Sequence, residues 1–325
     1  MAKKTTYPPL ALLQSINNEM PRAWELMKIL HESNGEDYEW DQRCYAPIGA
    51  AQAVTMELLG HVDIIKSMQI AALAPWRRSK DVFVVDPDMG QLLIEQAVDN
   101  LEIPTEILLN LPYPCFYVEI KNFDNVNGFF VHLEHDVNTG VKELRFLFLF
   151  KDGSAYGYPL CLIGNTVSEA IKAMTLADYS KASSGLRRNL YHQQNDPQFV
   201  KLVSQLLQIV LYICASNADI TPNSEQFLIM KNFEEIKDRY SEIRKWDLGM
   251  RIGAQIRKQG TNIKPSGTHA SPRTHIRRGH WHHFWKGSRQ NNSRELVLRW
   301  VAPTIVGTTD IDENVVLHFD EYLDN

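Results

Sequence analysis

The stretch CFYVEIKNFDNVNGFFVHLEHDVNTGVKELRFLFLFKDGSAYGYPLCL, residues 115–162, decides the fold of this chain. It holds four runs rich in Phe, Tyr, Val, Ile and Leu, and clusters of turn-forming residues separate them. Aromatic and β-branched residues between turn signals are typical of strands. The stretch therefore predicts four strands joined as a largely antiparallel meander, over 115–120, 128–133, 143–150 and 155–162.

Helices are predicted before and after these four strands in the sequence, because apolar residues recur there three and four positions apart. They span 10–16, 22–31, 50–73, 86–98, 168–180, 197–215 and 224–246, and a short strand is predicted over 82–85. Strands over 274–286 and 295–306 flank the turn GSRQNNS and predict a hairpin. The predicted fold class is α+β, with a helical N-terminal part, a central mostly antiparallel sheet, a helical segment and a C-terminal β-hairpin.

Composition divides the chain into three parts. Residues 1–258 are predicted to form a body of helices and antiparallel sheet. Residues 259–273, rich in Gly, Pro and Ser, are predicted to be an exposed linker or loop. Residues 274–325 form the basic and aromatic hairpin with an acidic tail, and this part can still pack with the body into one domain.

The bulk composition is that of a cytoplasmic globular protein, with 44% apolar and 22% charged residues among 325. Cys44, Cys115, Cys161 and Cys214 lie far apart without a CxxC pair, which predicts buried, reduced thiols. The N-terminus MAKKTTYPPL lacks the apolar run of a signal peptide. The apolar run that starts at Leu202 falls short of the ~20 residues that span a bilayer, so no membrane partner is predicted.

Charge is distributed unevenly around a net value of −5. Residues 248–294 contain ten Lys or Arg and no Asp or Glu, whereas residues 310–325 contain six acids and no Lys or Arg. This asymmetry indicates either an anionic partner or the docking of a basic and an acidic face of the same molecule. The second interpretation is the plainer one.

The segment THIRRGHWHHFWKG, residues 274–287, concentrates four of the 11 histidines and two of the seven tryptophans. On a strand, side chains alternate between faces, so His280 and His282 would share one face and could both reach a zinc ion. No Cys, Asp or Glu lies between Asp247 and Glu295 to supply a third ligand. The sequence therefore predicts no metal and no cofactor.

Two interpretations of this segment stay open. His275 and His280 could act as general acid and base on a phosphodiester while Arg277 or Arg278 stabilises the developing charge. In a binding role, Arg277, Arg278, His280 and His282 would contact a ligand beside the stacking surfaces of Trp281, Trp285 and Trp300. The structural alternative packs those three tryptophans as a core between the two strands and a helix, with arginine over the rings.

A second segment, IPTEILLNLPYPCFYVEI from Ile103, offers a possible peptide groove. Two prolines bracket Tyr113 and favour an extended chain. Leu109, Leu111 and Tyr113 could form the floor of a groove for a peptide. The plainer interpretation is a core segment that leads into the first strand of the meander.

Four blocks of this sequence resemble, in matching order, a phage and plasmid anti-CRISPR family that blocks biogenesis of the type V-A CRISPR effector nuclease. The blocks are PTEILLNLPYPCFYVEI at 104–120, LYICASNADIT at 211–221, HIRRGHWHHFWKG at 275–287 and LRWVAP at 298–303. The resemblance is chain-wide, and the C-terminal block is its signature. It assigns no individual residue to peptide binding or to catalysis.

The resemblance implies a translation-coupled inhibitor in the cytoplasm of the bacterial host cell. Such a protein would recognise the N-terminal nascent peptide of the effector, and the effector's mRNA would then be lost. The implied partners are that peptide and, further, the ribosome or the mRNA. The alternative is an RNA-binding protein or metal-independent ribonuclease that uses the His/Arg-rich hairpin. An interaction protein is favoured over an enzyme.

Overall fold

The computed structural model describes residues 7–96, 102–121, 123, 125–175, 197–223, 242–260, 275–277, 279–288, 294–302 and 304–306. The helices among them are α1 Pro8–Glu19, α2 Ala23–Glu32, α3 Ile48–Leu59, α4 Ile64–Ser79, α5 Pro87–Ile94, α6 Val167–Thr175, α7 Pro197–Ile213 and α8 Met250–Gly260, with a 3₁₀ helix over Thr105–Leu109. The strands are β1 Asp81–Val85, β2 Cys115–Glu119, β3 Val126–His135, β4 Lys142–Phe150, β5 Ala155–Cys161, β6 Ile220–Pro222, β7 Arg244–Leu248, β8 His275–Arg277, β9 His280–Lys286, β10 Glu295–Val301 and β11 Thr304–Val306.

Seven of these strands form one mixed sheet in the order β5-β4-β3-β2-β1-β7-β6. The meander from β2 to β5 is antiparallel throughout, as predicted, and β6 pairs antiparallel with β7. Strand β1 lies between β2 and β7 and is parallel to both. The predicted fold class is confirmed, and the parallel centre is a feature that the sequence analysis did not foresee.

Helices cover both faces of the sheet. On one face α4 packs against the sheet through Trp76, whose ring lies 5.2 Å edge-on from that of Phe130. On the other face α7 contributes Phe199, whose ring lies 6.3 Å from Phe148 and 5.9 Å from Tyr158. Because both faces are covered, the meander strands are buried almost along their whole length.

Strand β7 corrects the helix that was predicted over 224–246. Residues 244–246 form a strand, and residues 224–241 lie outside the described part of the chain. Arg244, Trp246 and Leu248 are buried while Lys245 and Asp247 are half-buried, which is the period-two pattern of a strand. The high charge of this segment masked that alternation, because Arg244 is a buried charge paired within the sheet.

The helix predicted over 50–73 is two helices. Gly60 ends α3 in the left-handed conformation, with φ of 76°, and the side chain of Asp63 accepts a hydrogen bond of 2.9 Å from the backbone N–H of Lys66 to start α4. These are ordinary stop and start signals.

Helix α5 ends at Ile94, and the rest of the span predicted for it reaches residues that are not described. In the segment predicted as a linker, residues 259 and 260 belong to α8, and 261–273 lie outside the described residues.

Both edge strands of the large sheet contain a proline, Pro159 in β5 and Pro222 in β6. Proline has no backbone N–H to offer to a further strand, so it blunts a sheet edge against extension. This sheet is therefore poorly suited to bind a peptide by strand addition.

In the described part of the chain, no single helix is both long enough and apolar enough to cross a membrane. Helices α3 and α4 meet both conditions only when taken together, and they are bent by 119° relative to each other.

Candidate functional site

Strands β9 and β10 form one two-stranded antiparallel sheet and β8 and β11 form a second, shorter one; together they make up the ribbon, which confirms the predicted C-terminal hairpin. Strand β9 pairs with β10 from His280 opposite Val301 to Lys286 opposite Glu295. Strand β8 pairs with β11 from His275 opposite Val306 to Arg277 opposite Thr304, and this register continues that of β9 and β10. The alternation of side chains along this ribbon decides which residues of the motif can meet a ligand.

The inward face of the ribbon attaches it to α7. Trp300 is 3% exposed, and its ring lies 5.4 Å edge-on from that of Tyr212. Trp281, directly opposite Trp300, donates a hydrogen bond of 2.8 Å from Nε1 to Oε1 of Gln208. The side-chain amide of Asn217 accepts a hydrogen bond of 3.0 Å from the backbone N–H of Trp300 and donates one of 2.9 Å to its carbonyl oxygen. The structural interpretation is therefore correct for Trp281 and Trp300.

The structural interpretation is wrong for Trp285, the third tryptophan that it placed in a core. Trp285 shares the parity of Trp281 but is 53% exposed. Its cross-strand neighbour is Leu296, which is only half-buried, so Trp285 lies toward the exposed tip of the hairpin rather than in its core. Alternation along the strand placed the ring on the correct face, but it carried no information about how far α7 extends beneath that face.

Gly279 is a glycine because the inward face is crowded. A Cβ at this position would lie 3.0 Å from Cζ2 of Trp300, 3.0 Å from Nε2 of Gln96 and 3.1 Å from the carbonyl oxygen of Val301. The sequence motif RRGHW thus includes a glycine that lets the ribbon approach the end of α5. This is a packing requirement and not a catalytic one.

The outward face of β9 carries His280, His282, Phe284 and Lys286, and of these only Phe284 is half-buried while the others are exposed. His280 and His282 are exposed, and the ring of His282 lies 5.7 Å from that of Phe284. Arg299, opposite His282, places its guanidinium 5.9 Å from the centre of the Phe284 ring. The structure brings together an arginine, a phenylalanine and two histidines on one open surface.

Three predicted site residues cannot be placed on this surface. His275 and Arg277 lie in β8, where only the backbone pairing is described, and Arg278 lies outside the described residues. Their proposed roles in catalysis and binding stay predictions. Of the catalytic candidates, His280 alone has a described side chain, and it is exposed on the outward face.

The proposed peptide groove around Leu109, Leu111 and Tyr113 is largely closed in this structure. Leu109 and Leu111 are half-buried, and the 3₁₀ helix that ends at Leu109 packs against β10 and α7. Tyr113 is 6% exposed and lies 5.8 Å from the ring of Trp246. The geometry supports the plainer interpretation of this segment as core, and it places the segment next to the hairpin.

Sequence reasoning missed a buried ion pair beneath Tyr113. Arg244 donates from Nη2 to Oδ2 of Asp81 at 2.6 Å, and Trp246 donates from Nε1 to Oδ1 of Asp81 at 3.0 Å. The guanidinium of Arg244 also lies 5.3 Å from the Tyr113 ring. Burial raises the pKa of Tyr113, which keeps its hydroxyl protonated. The pair fixes β7 against β1, and no local sequence pattern indicates it.

A small pocket lies at the carboxyl ends of the parallel strands β1 and β2. Its volume is about 170 Å³, and it lies between α5 and the turn after β2. Its walls are apolar at Ile94, Ile120 and Phe123, and polar at Asp88, Gln91 and Lys121. Ligands of open α/β sheets commonly bind at this end of the strands.

Asp86 sets the geometry at the entrance of this pocket. Its Oδ1 accepts hydrogen bonds from the backbone N–H groups of Asp88 and Met89 at 3.0 and 3.2 Å, and so caps α5. Arg257 of α8 donates to the same carboxylate at 3.0 and 3.1 Å and also contacts Asp88. The carboxylate leaves no room for a side chain at Gly253. The sequence gives one signal for this arrangement, the Asp-Pro-Asp helix start.

Within the described ranges, no group of three or more His, Cys, Asp or Glu side chains is placed to hold a metal ion.

Comparison with known proteins identifies the family. The profile of the AcrVA2-like family, described as the anti-CRISPR type V subtype A2 family, matches residues 83–308, which is well over half of the chain. The chain belongs to this family, and the predicted family is confirmed.

Two individual proteins are similar to the chain. Protein FinQ of Escherichia coli is 24% identical over 270 residues, which cover 73% of this chain and 76% of FinQ. The crystal structure of AcrVA2 has a TM-score of 0.61 and 22% identity, and the match covers 92% of this chain and 99% of AcrVA2. At this identity the structural likeness establishes a shared fold.

Proposed function

We propose that this protein is an anti-CRISPR protein that acts in the bacterial cytoplasm against a type V-A effector nuclease. In this proposal it recognises the N-terminal peptide of the effector as that peptide leaves the ribosome, and the loss of the effector's mRNA follows. The observation that carries the proposal is the family match over residues 83–308, which spans both the mixed sheet and the hairpin. Similarity of fold to AcrVA2 over 92% of the chain supports the same assignment.

The pocket beside α5 is the proposed contact for the peptide. Its volume of about 170 Å³ is below the ~300–1,000 Å³ of a typical small-molecule site, so it suits a side chain of a peptide better than a cofactor. Ile94, Ile120 and Phe123 offer an apolar floor, and Gln91 and Lys121 offer polar contacts for the backbone around that side chain. The prolines in both edge strands disfavour the alternative of strand addition.

Peptide binding is tested with the purified full chain and a labelled synthetic peptide that carries the N-terminal sequence of a type V-A effector. Fluorescence anisotropy should give saturable binding to this peptide and none to a scrambled version. Gln91→Ala and Lys121→Ala should weaken binding about 30-fold together, at about 1 kcal/mol for each lost hydrogen bond. Lys28→Ala on α2, whose side chain is 62% exposed, is the control and should leave the affinity unchanged. If no effector peptide binds, recognition of the peptide is wrong.

Cotranslational action is tested in cells by pulling down the tagged chain with translating ribosomes and sequencing the attached messages. The proposal predicts enrichment of the effector message and a fall in its abundance. The enzymatic alternative predicts that the purified chain cuts naked RNA without divalent ions and that His280→Ala abolishes this cleavage. Such cleavage would overturn the proposal that the protein is an interaction protein.

A further inference from the structure

The outward face of the hairpin is an open sheet surface. His280, His282, Arg299 and Lys286 are exposed on it, and Val301 at its base is 39% exposed. Phe284 lies between its two neighbours His282 and Arg299, with ring-to-ring and guanidinium-to-ring distances of 5.7 and 5.9 Å. Phe284 and its cross-strand partner Val297 are half-buried in the middle of this face, and α7 packs against the opposite face through Trp281 and Trp300.

The positive charge on this face is only partly matched from within the described chain. In the preceding segment the basic side chains have carboxylate partners: Arg244 pairs with Asp81, Arg251 with Asp219 and Arg257 with Asp86. Glu295, the one acid on the outward face of the two described strands, lies directly opposite Lys286 and balances part of its charge, whereas the residue opposite Arg299 is His282 and not an acid. The charge of Arg299 has no carboxylate opposite it on this face, so the part of the face around Arg299 is complementary to an anionic partner.

The spacing of the rings narrows the chemistry of that partner. His280, His282 and Phe284 follow one another at every second position of β9, so that their rings repeat about every 6.8 Å along the strand. Planar side chains on an open strand, flanked by arginine and lysine, stack unpaired bases while the cations contact phosphates. An acidic peptide would use the cations but would have no use for a row of rings.

We infer that the outward face of β9 and β10 binds single-stranded RNA, with Phe284 and His282 stacking bases and Arg299 and Lys286 contacting phosphates. The site lies on the hairpin, apart from the pocket beside α5, and requires no cleavage of the RNA. It does not depend on peptide recognition, so peptide affinity and RNA affinity can be measured separately on the same variants.

The test is fluorescence anisotropy of the full chain with a labelled single-stranded RNA of about 12 nucleotides, within the ~4–16 nucleotides that a comparable sheet surface covers. Phe284→Ala should weaken binding roughly 5- to 150-fold, the range for the loss of one base stack. Arg299→Gln should lower the slope of log K against log salt by about 0.7, as expected for one lost phosphate contact. A duplex RNA of the same length should bind more weakly than the single strand.

Two control variants carry the same kinds of side chain elsewhere on the surface. Tyr38→Ala removes an aromatic residue that is 68% exposed, and Lys28→Gln removes a cation that is 62% exposed. Both should bind RNA as the parent chain does. Because Phe284 is half-buried, His282→Ala serves as a second stacking variant, and each variant must keep the circular dichroism spectrum of the parent.

Several outcomes would overturn the inference. They are the absence of saturable binding to single-stranded RNA, or binding that Phe284→Ala, His282→Ala and Arg299→Gln all leave unchanged. A labelled peptide of residues 310–325 is the second probe. If that acidic peptide binds in place of RNA and Arg299→Gln weakens it, the face docks an acidic protein segment and the RNA assignment is wrong.

Discussion

Replacing Trp300 by alanine should destabilise the hairpin far more than replacing Trp285, although both tryptophans share one parity face of the ribbon. Trp300 is 3% exposed and Trp285 is 53% exposed. A tryptophan buries about 200 Å² when fully enclosed, and at about 25 cal/mol per Å² this corresponds to about 5 kcal/mol. The range for aromatic-to-alanine changes in cores is about 3–5 kcal/mol, so we expect about 4 kcal/mol for Trp300→Ala.

The same calculation gives about half of that area for Trp285, and its loss leaves no enclosed cavity because solvent fills the space. We therefore expect about 2 kcal/mol or less for Trp285→Ala. Trp300→Phe should cost less than Trp300→Ala, because a ring remains beside Tyr212 and Nε1 of Trp300 has no partner among the described residues.

The assay is urea unfolding followed by far-UV circular dichroism, together with hydrogen exchange of peptides from β9, β10 and the end of α7. Exchange is needed because undocking of the hairpin can be local and need not unfold the sheet. We expect Trp300→Ala to speed exchange in all three segments and Trp285→Ala to change it only near the tip. Equal destabilisation by the two changes, or a cost below about 1 kcal/mol for Trp300→Ala, would refute the assignment of the hairpin anchor.

Three further predictions concern the body of the protein. Gly253→Ala should destabilise the protein by about 1–3 kcal/mol, because a Cβ would overlap with the carboxylate of Asp86. The control Gly49→Ala, on the open surface of α3, should be neutral or stabilising by up to ~1 kcal/mol. Thermal unfolding that gives both changes the same sign would contradict this. Asp81→Asn should lower the free energy of unfolding in urea by about 3–5 kcal/mol, since it leaves Arg244 buried without its carboxylate. The control is Glu25→Gln, which removes an exposed ion pair. A loss of stability for Asp81→Asn below that of the control would disprove the role of the buried pair. Cys44, Cys115 and Cys161 are buried as predicted, whereas Cys214 is only half-buried. Desolvation still raises the pKa of the Cys214 thiol to about 12, and the thiolate is the reactive form, so alkylation at about pH 8 should be slow and should accelerate about tenfold per pH unit. Labelling as fast as in the urea-unfolded chain would contradict this raised pKa.

Several local features of this protein could be predicted from the sequence because they depend on neighbouring residues. The meander over 115–162 follows from aromatic and β-branched runs between turns, and the hairpin follows from two such runs around GSRQNNS. Alternation along β9 correctly separated Trp281 from His280 and His282, because strand periodicity is a property of the backbone. The four sequence blocks sufficed to predict the family.

Only the tertiary structure decided where distant segments meet. The parallel pairing of β1 with β7 joins residues more than 160 positions apart, and the Asp81–Arg244 pair that fixes it has no local sequence signal. The exposure of Trp285 depends on how far α7 extends beneath the ribbon, and the unmatched charge of Arg299 depends on which carboxylates other arginines have already engaged. Local periodicity fixes the direction of a side chain, but burial and charge pairing are decided by what packs against it.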